Sequence, residues 1–159
     1  MKRVAVFSDT HGRFTRLPAA LDKIQKAGGA ELLLHLGDYG NDAETIADKL
    51  GVPFVAVRGN NDYFSDLPRK KVVQIEDASI LLVHGDAYYN LSPLIREAKR
   101  ERCAAVLFGH THVPLLQADG ALLIVNPGSL SLPRQGCPPS FALLEIDGTD
   151  VNVKMVSVD

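Results

Sequence analysis

Three apolar runs in the first sixty residues, Val4–Phe7, Leu32–Leu36 and Val55–Val57, are separated by two stretches with helical periodicity. Each run is short and ends in polar residues, which marks a strand buried on both faces. Between the first two, Leu17, Ala20, Leu21, Ile24 and Ala27 recur at helical spacing until Gly28 and Gly29 stop them. Between the second and third, Asn41 with Glu44 predicts a capping box, opening a helix with Ala43, Ile46, Ala47 and Leu50 on one face. This β-α-β-α-β order leaves few folds open, because parallel strands need crossovers and the crossover helices must cover the sheet.

The second half follows another pattern. Val72–Ile75 and Ile80–Val83 flank Glu76-Asp77-Ala78-Ser79 as a hairpin, a helix follows Pro93, and Ala104–Phe108 forms a further strand. Leu115–Ala118 and Ala121–Val125 are joined by Asp119-Gly120, and Phe141–Ile146 meets Val151–Val156 across Asp147-Gly148; both joints are hairpin signals. Residues 133–140 read as a mobile loop. The expected fold is α/β, with two mixed β-sheets packed together and flanked by helices in a single domain spanning 1–159.

Composition narrows the function classes. The formal net charge of -2 argues against an extended nucleic-acid surface, so affinity for phosphate has to be local. The two cysteines, Cys103 and Cys137, lack the spacing of a disulfide framework or a zinc motif and fit a reducing compartment. The apolar opening is too short for a signal peptide or a membrane span, and a cytoplasmic protein is expected.

Five polar clusters each follow an apolar run directly: Asp9-Thr10-His11, Gly37-Asp38, Gly59-Asn60-Asn61-Asp62, His84-Gly85 and Gly109-His110-Thr111-His112. Sites form at that edge of α/β sheets. Taken singly, the clusters are ordinary turn chemistry. Taken together they place four of the five histidines at strand ends, which turn chemistry does not require. Asp9 with His11, and His110 with His112, are two apart, so in extended backbone each pair projects to one side. The neighbouring glycines are expected to let the backbone turn sharply. The donors are carboxylate, imidazole and amide oxygen, with no thiolate. Seven such donors, Asp9, His11, Asp38, Asn60, His84, His110 and His112, exceed the needs of one structural zinc and suit two metals sharing a carboxylate. Two divalent ions offset by Asp9 and Asp38 leave the site electropositive, and paired ions of this kind, about 3.5–4 Å apart, serve in-line displacement at phosphorus.

The ordered set Asp-x-His, Gly-Asp, Gly-Asn-x-Asp, His-Gly and Gly-His-x-His resembles the calcineurin-like metallophosphoesterase superfamily. The short chain, with Asn126-Pro127-Gly128-Ser129 and the segment through Arg134, is similar to its small YfcE-type phosphodiesterase branch. The resemblance implies a four-layer fold, a two-sheet sandwich between helices. It implies one metal held by Asp9, His11, Asp38 and His112, a second by Asp38, Asn60, His84 and His110, and a metal-bridging hydroxide that attacks a small phosphate-ester substrate, most naturally a phosphodiester. Mn²⁺ suits the ligand set, and Zn²⁺, Fe²⁺ and Ni²⁺ are compatible. The wider superfamily has a histidine after the ligand asparagine; here that acid position holds Asn61, and an amide cannot supply a proton. Diesters with good leaving groups are therefore expected to be preferred. Two rival functions keep the fold: a scaffold or binding protein, such as the retromer subunit that resembles this family, and a phosphomonoesterase or nucleotidase.

The remaining residues are less specific. His35, inside an apolar run, reads as a packed or hydrogen-bonded core histidine. Arg58 is either a phosphate contact or half of a surface ion pair. Tyr39, Tyr63, Phe64, Tyr88 and Tyr89 follow the ligand loops as a substrate wall, packing residues or an interface, and a homodimer is compatible with them. Asn126 and Ser129 are expected at the cleft rim and Cys103 in the core. Arg96, Glu97, Lys99, Arg100, Glu101 and Arg102 read as a solvated helix face.

Overall fold

The computed structural model describes all 159 residues. One five-stranded sheet has the order β10-β9-β1-β2-β3, built from β1 (Lys2–Phe7), β2 (Leu32–His35), β3 (Phe54–Ala56), β9 (Ser140–Asp147) and β10 (Asp150–Ser157). The other has the order β4-β5-β6-β8-β7, from β4 (Lys70–Ile75), β5 (Ala78–Val83), β6 (Ala105–Leu107), β7 (Leu115–Asp119) and β8 (Leu122–Asn126). Both sheets are mixed: β1, β2 and β3 are parallel and β1 is antiparallel to β9, while β5, β6 and β8 are parallel and flanked by antiparallel β4 and β7.

The period of two along each strand assigns side chains to layers. Val4, Val6, Leu34, Ile80 and Leu82 point into the space between the sheets. Ala5, Phe7 and Leu33 point outward and are covered by helices α1 (Leu17–Lys26) and α2 (Asp42–Leu50). Leu81, Val83 and Val106 are covered by α3 (Leu91–Arg100) on the far side. The result is four layers, helices on both sides of a two-sheet sandwich, as the β-α-β-α-β start and later hairpins require. Each fully buried Leu, Val or Phe contributes roughly 1.5–3 kcal/mol, so the central strands hold their ends firmly. No helix is long and apolar enough to cross a membrane.

Two helix starts differ from expectation. Asn41 is already helical (φ -67°, ψ -17°) and its side chain caps nothing, because a preceding turn, with Asp42 N–H bonded to the Tyr39 carbonyl, carries the chain into the helix. A capping box needs an extended N-cap, so none forms. Helix α3 starts ahead of Pro93: Asn90 is extended, and its Oδ1 accepts from Ser92 N–H at 3.0 Å.

Candidate metal centre

The five polar clusters meet at one edge of the sandwich. Asp9, His11, Asp38 and His112 bring one donor atom each to within 4.8 Å of the others. His84 joins them, with Nε2 3.3 Å from Asp38 Oδ1 and 3.8 Å from Asp9 Oδ1. His11 Nε2 lies 3.5 Å from Asp38 Oδ2, and His112 Nε2 lies 3.2 Å from Asp9 Oδ1. Asp9, Asp38, His84 and His112 are buried; His11 is half-buried. His110 stands edge-on to His84, ring centroids 5.2 Å apart, and its main-chain N–H donates to Asp9 Oδ2 at 3.0 Å. Asn60 is exposed beside them and its side chain makes no hydrogen bond to the cluster. Asn61 makes those contacts to Asp38 instead.

The backbone reaches this geometry differently from the extended pairs read in the sequence. Asp9, His11, Asp38, His110 and His112 all have positive φ, between 51° and 71°. Left-handed backbone costs about 1–3 kcal/mol per residue and persists where surrounding structure overdetermines it, commonly at functional sites. The glycines also divide. Gly37 turns the chain at φ +99°, whereas Gly59 and Gly109 need only the space: a Cβ on Gly109 would overlap Ser8 Oγ and lie 2.6 Å from Asp9 Oδ2.

The tautomers follow from the partners. His84 Nδ1 is 2.7 Å from the Leu36 carbonyl and His112 Nδ1 is 2.7 Å from the Leu132 carbonyl, so both rings spend their Nδ1–H outward. Their Nε2 atoms then turn lone pairs toward carboxylates. Asp9 Oδ1, His11 Nε2 and His84 Nε2 are buried without a hydrogen-bond partner. Burial lowers the pKa of His11 despite the nearby carboxylates, keeping it neutral. At His112, burial is outweighed by the hydrogen bond to Asp9, and its pKa rises. A proton on His112 settles one pairing and leaves the other orphaned atoms facing one another. A cation among them settles all, and a ligating histidine that gives its other N–H to a carbonyl is the usual arrangement around bound metal. The residues present therefore fit a divalent ion. For Asp9, burial opposes ionisation, but the His112 contact, the nearby His84 ring and the Ser8 hydroxyl outweigh it and hold the carboxyl below its usual range.

Several supporting residues carried little sequence signal. Ser8 Oγ donates to Asp9 Oδ2 at 2.6 Å. Asp62 accepts from Tyr39 N–H and Gly40 N–H through Oδ1 and from Gly59 N–H through Oδ2, tying two ligand loops together. Its place in Gly-Asn-x-Asp was the only hint. Asn126 and Ser129 are fully buried, not at the rim: Asn126 Nδ2 donates to the Gly109 carbonyl and Ser129 Oγ to the Asp9 carbonyl, bracing two ligand loops from beneath. Residues 133–139 form a loop attached to the centre, since Arg134 N–H donates to the His112 carbonyl, and Ser140 already belongs to β9. Arg58 forms no ion pair and gives its guanidinium to the Ser65 carbonyl at 3.3 Å. Glu97 is drawn off the solvated face of α3 by Lys70 and Tyr88. Cys103 lies in the core, and His35 is fully buried and hydrogen-bonded.

The family model described as the calcineurin-like phosphoesterase superfamily domain matches residues 1–149. The chain is 36% identical to the probable metallophosphoesterase MJ0623 of Methanocaldococcus jannaschii, over 85% of this chain and 70% of that protein. It is 28% identical to the phosphodiesterase YfcE of Escherichia coli K12, over 92% of this chain and 89% of that one. Among solved structures, a predicted phosphoesterase from Streptococcus pneumoniae superposes with a TM-score of 0.78 at 28% identity, covering 98% of this chain and 89% of that chain. Vps29 of Entamoeba histolytica, solved with Zn²⁺, gives 0.77 at 23% identity over 98% of both chains, a likeness of fold alone.

Proposed function

We propose that this chain, which belongs to the calcineurin-like phosphoesterase superfamily, is a metal-dependent phosphodiesterase with a dinuclear centre. Asp9, His11, Asp38 and His112 would hold one divalent ion, and Asp38, Asn60, His84 and His110 the second. The observation that carries the reading is the convergence of orphaned lone pairs on Asp9, His11 and His84 in a buried site.

When bound, the ions supply Lewis-acid charge for the phosphoryl oxygens and a nucleophilic water of lowered pKa. Mn²⁺ suits the oxygen and imidazole donors, with Zn²⁺, Fe²⁺ and Ni²⁺ compatible. The chain's own contribution is orientation. The Leu36 and Leu132 carbonyls fix the rings of His84 and His112, and Ser8 with the His110 N–H occupies one oxygen of Asp9, leaving the other free to ligate. Asp38 faces both His11 and His84 and is placed to be shared. Asn61 holds Asp38 but offers no acidic proton, so diesters with good leaving groups are the favoured substrates.

The test is elemental analysis after purification without chelator, with hydrolysis of bis-p-nitrophenyl phosphate in added Mn²⁺, on wild type and Asp38→Asn. Two metals per chain and turnover lost in the variant are expected. A wild type that binds no metal and stays inactive with Mn²⁺ would overturn the reading in favour of a binding protein. A panel of mono- and diesters then separates diesterase from monoesterase.

A further inference from the structure

A cavity of about 350 Å³ opens directly beside the metal centre, sharing Gly109, His110 and Thr111 with the last ligand loop and Gly85 with the loop after His84. Its walls come from α3 and the loop before it, the β6–β7 connection and the start of β7: Tyr88, Leu91, Phe108, Val113 and Leu115, with Leu94 beneath. Tyr89, Asn90 and Gln135 stand at the mouth. No Lys, Arg, Asp or Glu lines it.

We propose that this cavity seats a neutral, planar aromatic group carried by the phosphate ester whose phosphoryl group lies at the cluster, an inference that rests on the phosphoesterase reading above. Continuity comes first, because a phosphate reached by His110 and His84 has its ester substituent next to this opening. Charge comes second. The uncharged lining would leave an anionic or cationic group desolvated and unpaired, whereas a neutral ring buries apolar surface. Shape comes third. Tyr88, Tyr89 and Phe108 offer ring faces and edges, the geometry in which aromatic groups pack best, and the volume sits at the small end of ligand pockets, suited to one ring system. The mouth adds selectivity: Asn90 uses its Oδ1 on Ser92 N–H, while its Nδ2, the Tyr89 hydroxyl and the Gln135 carboxamide are free for heteroatoms on the ring edge. The wall is preformed, since the Tyr88 hydroxyl is anchored by Glu97, itself paired with Lys70.

The larger cavity, near 730 Å³ and lined by Asp77, Lys99, Arg102 and Cys103, lies among other turns away from the cluster, and its Lys99 is already paired with Asp119 at 2.6 Å.

The test uses stable phosphonates on Zn²⁺-loaded protein. Benzylphosphonate is expected to bind at least tenfold tighter than methylphosphonate or cyclohexylmethylphosphonate, shifting the methyl resonances of Leu91, Val113 and Leu115. Val113→Trp, which fills the cavity from a half-buried position outside the cluster, should erase that preference while leaving methylphosphonate affinity within twofold. Tyr89→Ala, on a fully exposed residue, should reduce it about threefold. Equal affinities in wild type, absence of binding by any probe, or a preference that survives Val113→Trp would overturn the assignment. Hydrolysis of bis-p-nitrophenyl phosphate is scored separately. Turnover without ring preference removes the cavity's role and keeps the enzyme; ring preference without turnover keeps the cavity and removes the phosphodiesterase.

Discussion

The side-chain amide of Asn61 donates to Asp38 Oδ2 at 2.7 Å while its own main-chain N–H donates to Asp38 Oδ1 at 3.0 Å. One residue thus grips both oxygens of the carboxylate that faces His11 and His84. Asn61→Ala keeps the main-chain bond and loses the other. Groups that orient a ligand are typically worth 10–100-fold in metal affinity, so a loss of about tenfold is expected by chelator competition, with turnover recovered at saturating Mn²⁺. Asn61→His adds a group able to protonate a leaving oxygen, and should raise the rate on alkyl diesters relative to p-nitrophenyl diesters. No relative gain for the alkyl ester would remove proton supply as the reason for the leaving-group preference.

The succession of elements and the layers were legible because burial on both faces leaves uninterrupted apolar runs, and because parallel pairing forces helices between them. The candidate donors were legible because Asp9, Asp38, His84, His110 and His112 each follow such a run, and the fold brings them to one edge. What was not legible is how they are aimed. In extended backbone the Asp9/His11 and His110/His112 pairs would each project to one side, yet all four have positive φ, held by contacts from other elements such as Ser129 Oγ to the Asp9 carbonyl, 120 residues away, and Asn126 Nδ2 to the Gly109 carbonyl, 17 residues away. Those contacts have no local pattern. Ser8 and Thr10 were invisible for the same reason: a hydroxyl beside a ligand is common, and only the fold gives it a partner.

Thr10 supplies one such partner. Its hydroxyl donates to Asp42 Oδ2 at 2.6 Å and so accepts from His35 Nε2–H at 2.9 Å, giving a chain from His35 through Thr10 to Asp42 that also secures Gly12 N–H. Thr10→Val has nearly the same shape and leaves His35 Nε2–H unsatisfied, while Asp42 Oδ2 keeps only the Gly12 N–H. A buried orphan costs about 1–3 kcal/mol. Urea denaturation should show a loss of that size with the m-value unchanged. A loss below 0.5 kcal/mol, on the order of a surface substitution, would mean that water replaces the hydroxyl.

His35 gives the fold a defined acid sensitivity. Its Nδ1 accepts from Gly37 N–H at 3.2 Å, so protonation would set two donors against each other in a fully buried site. Burial is the main cause, outweighing the Asp42, Asp9 and Asp62 charges, and the pKa falls from 6.5 to about 4. Above pH 6.5 neither state binds this proton and stability is unaffected. Between 6.5 and about 4 the unfolded chain takes it up and the folded chain does not, so stability falls as pH falls, by on the order of 3 kcal/mol, and levels off below. His35→Gln removes the titration. With metal chelated, the stability difference between wild type and variant should slope through that window and be flat above pH 7; a flat difference throughout would mean that His35 titrates normally.

Gly109 sets how closely two ligand loops approach. Its backbone is not left-handed, so an alanine is excluded only by space, with its methyl overlapping Ser8 Oγ and lying 2.6 Å from Asp9 Oδ2. Those atoms already form a 2.6 Å hydrogen bond, and Asp9 Oδ2 also takes the His110 main-chain N–H, so the methyl cannot enter without displacing the Asp9 carboxylate. Gly109→Ala should cost about 1–3 kcal/mol, the range for overpacking a filled site. It should also weaken metal binding more than its stability loss alone implies, because Asp9 Oδ1 moves with Oδ2. The second change Ser8→Gly removes the overlapping hydroxyl and should restore part of the stability but not the metal affinity, since Asp9 then lacks its Ser8 donor. Full recovery of both by the double variant would show that the hydroxyl, and not the carboxylate, carries the constraint; a Gly109→Ala protein with wild-type metal affinity would show that the Asp9 loop is free to move.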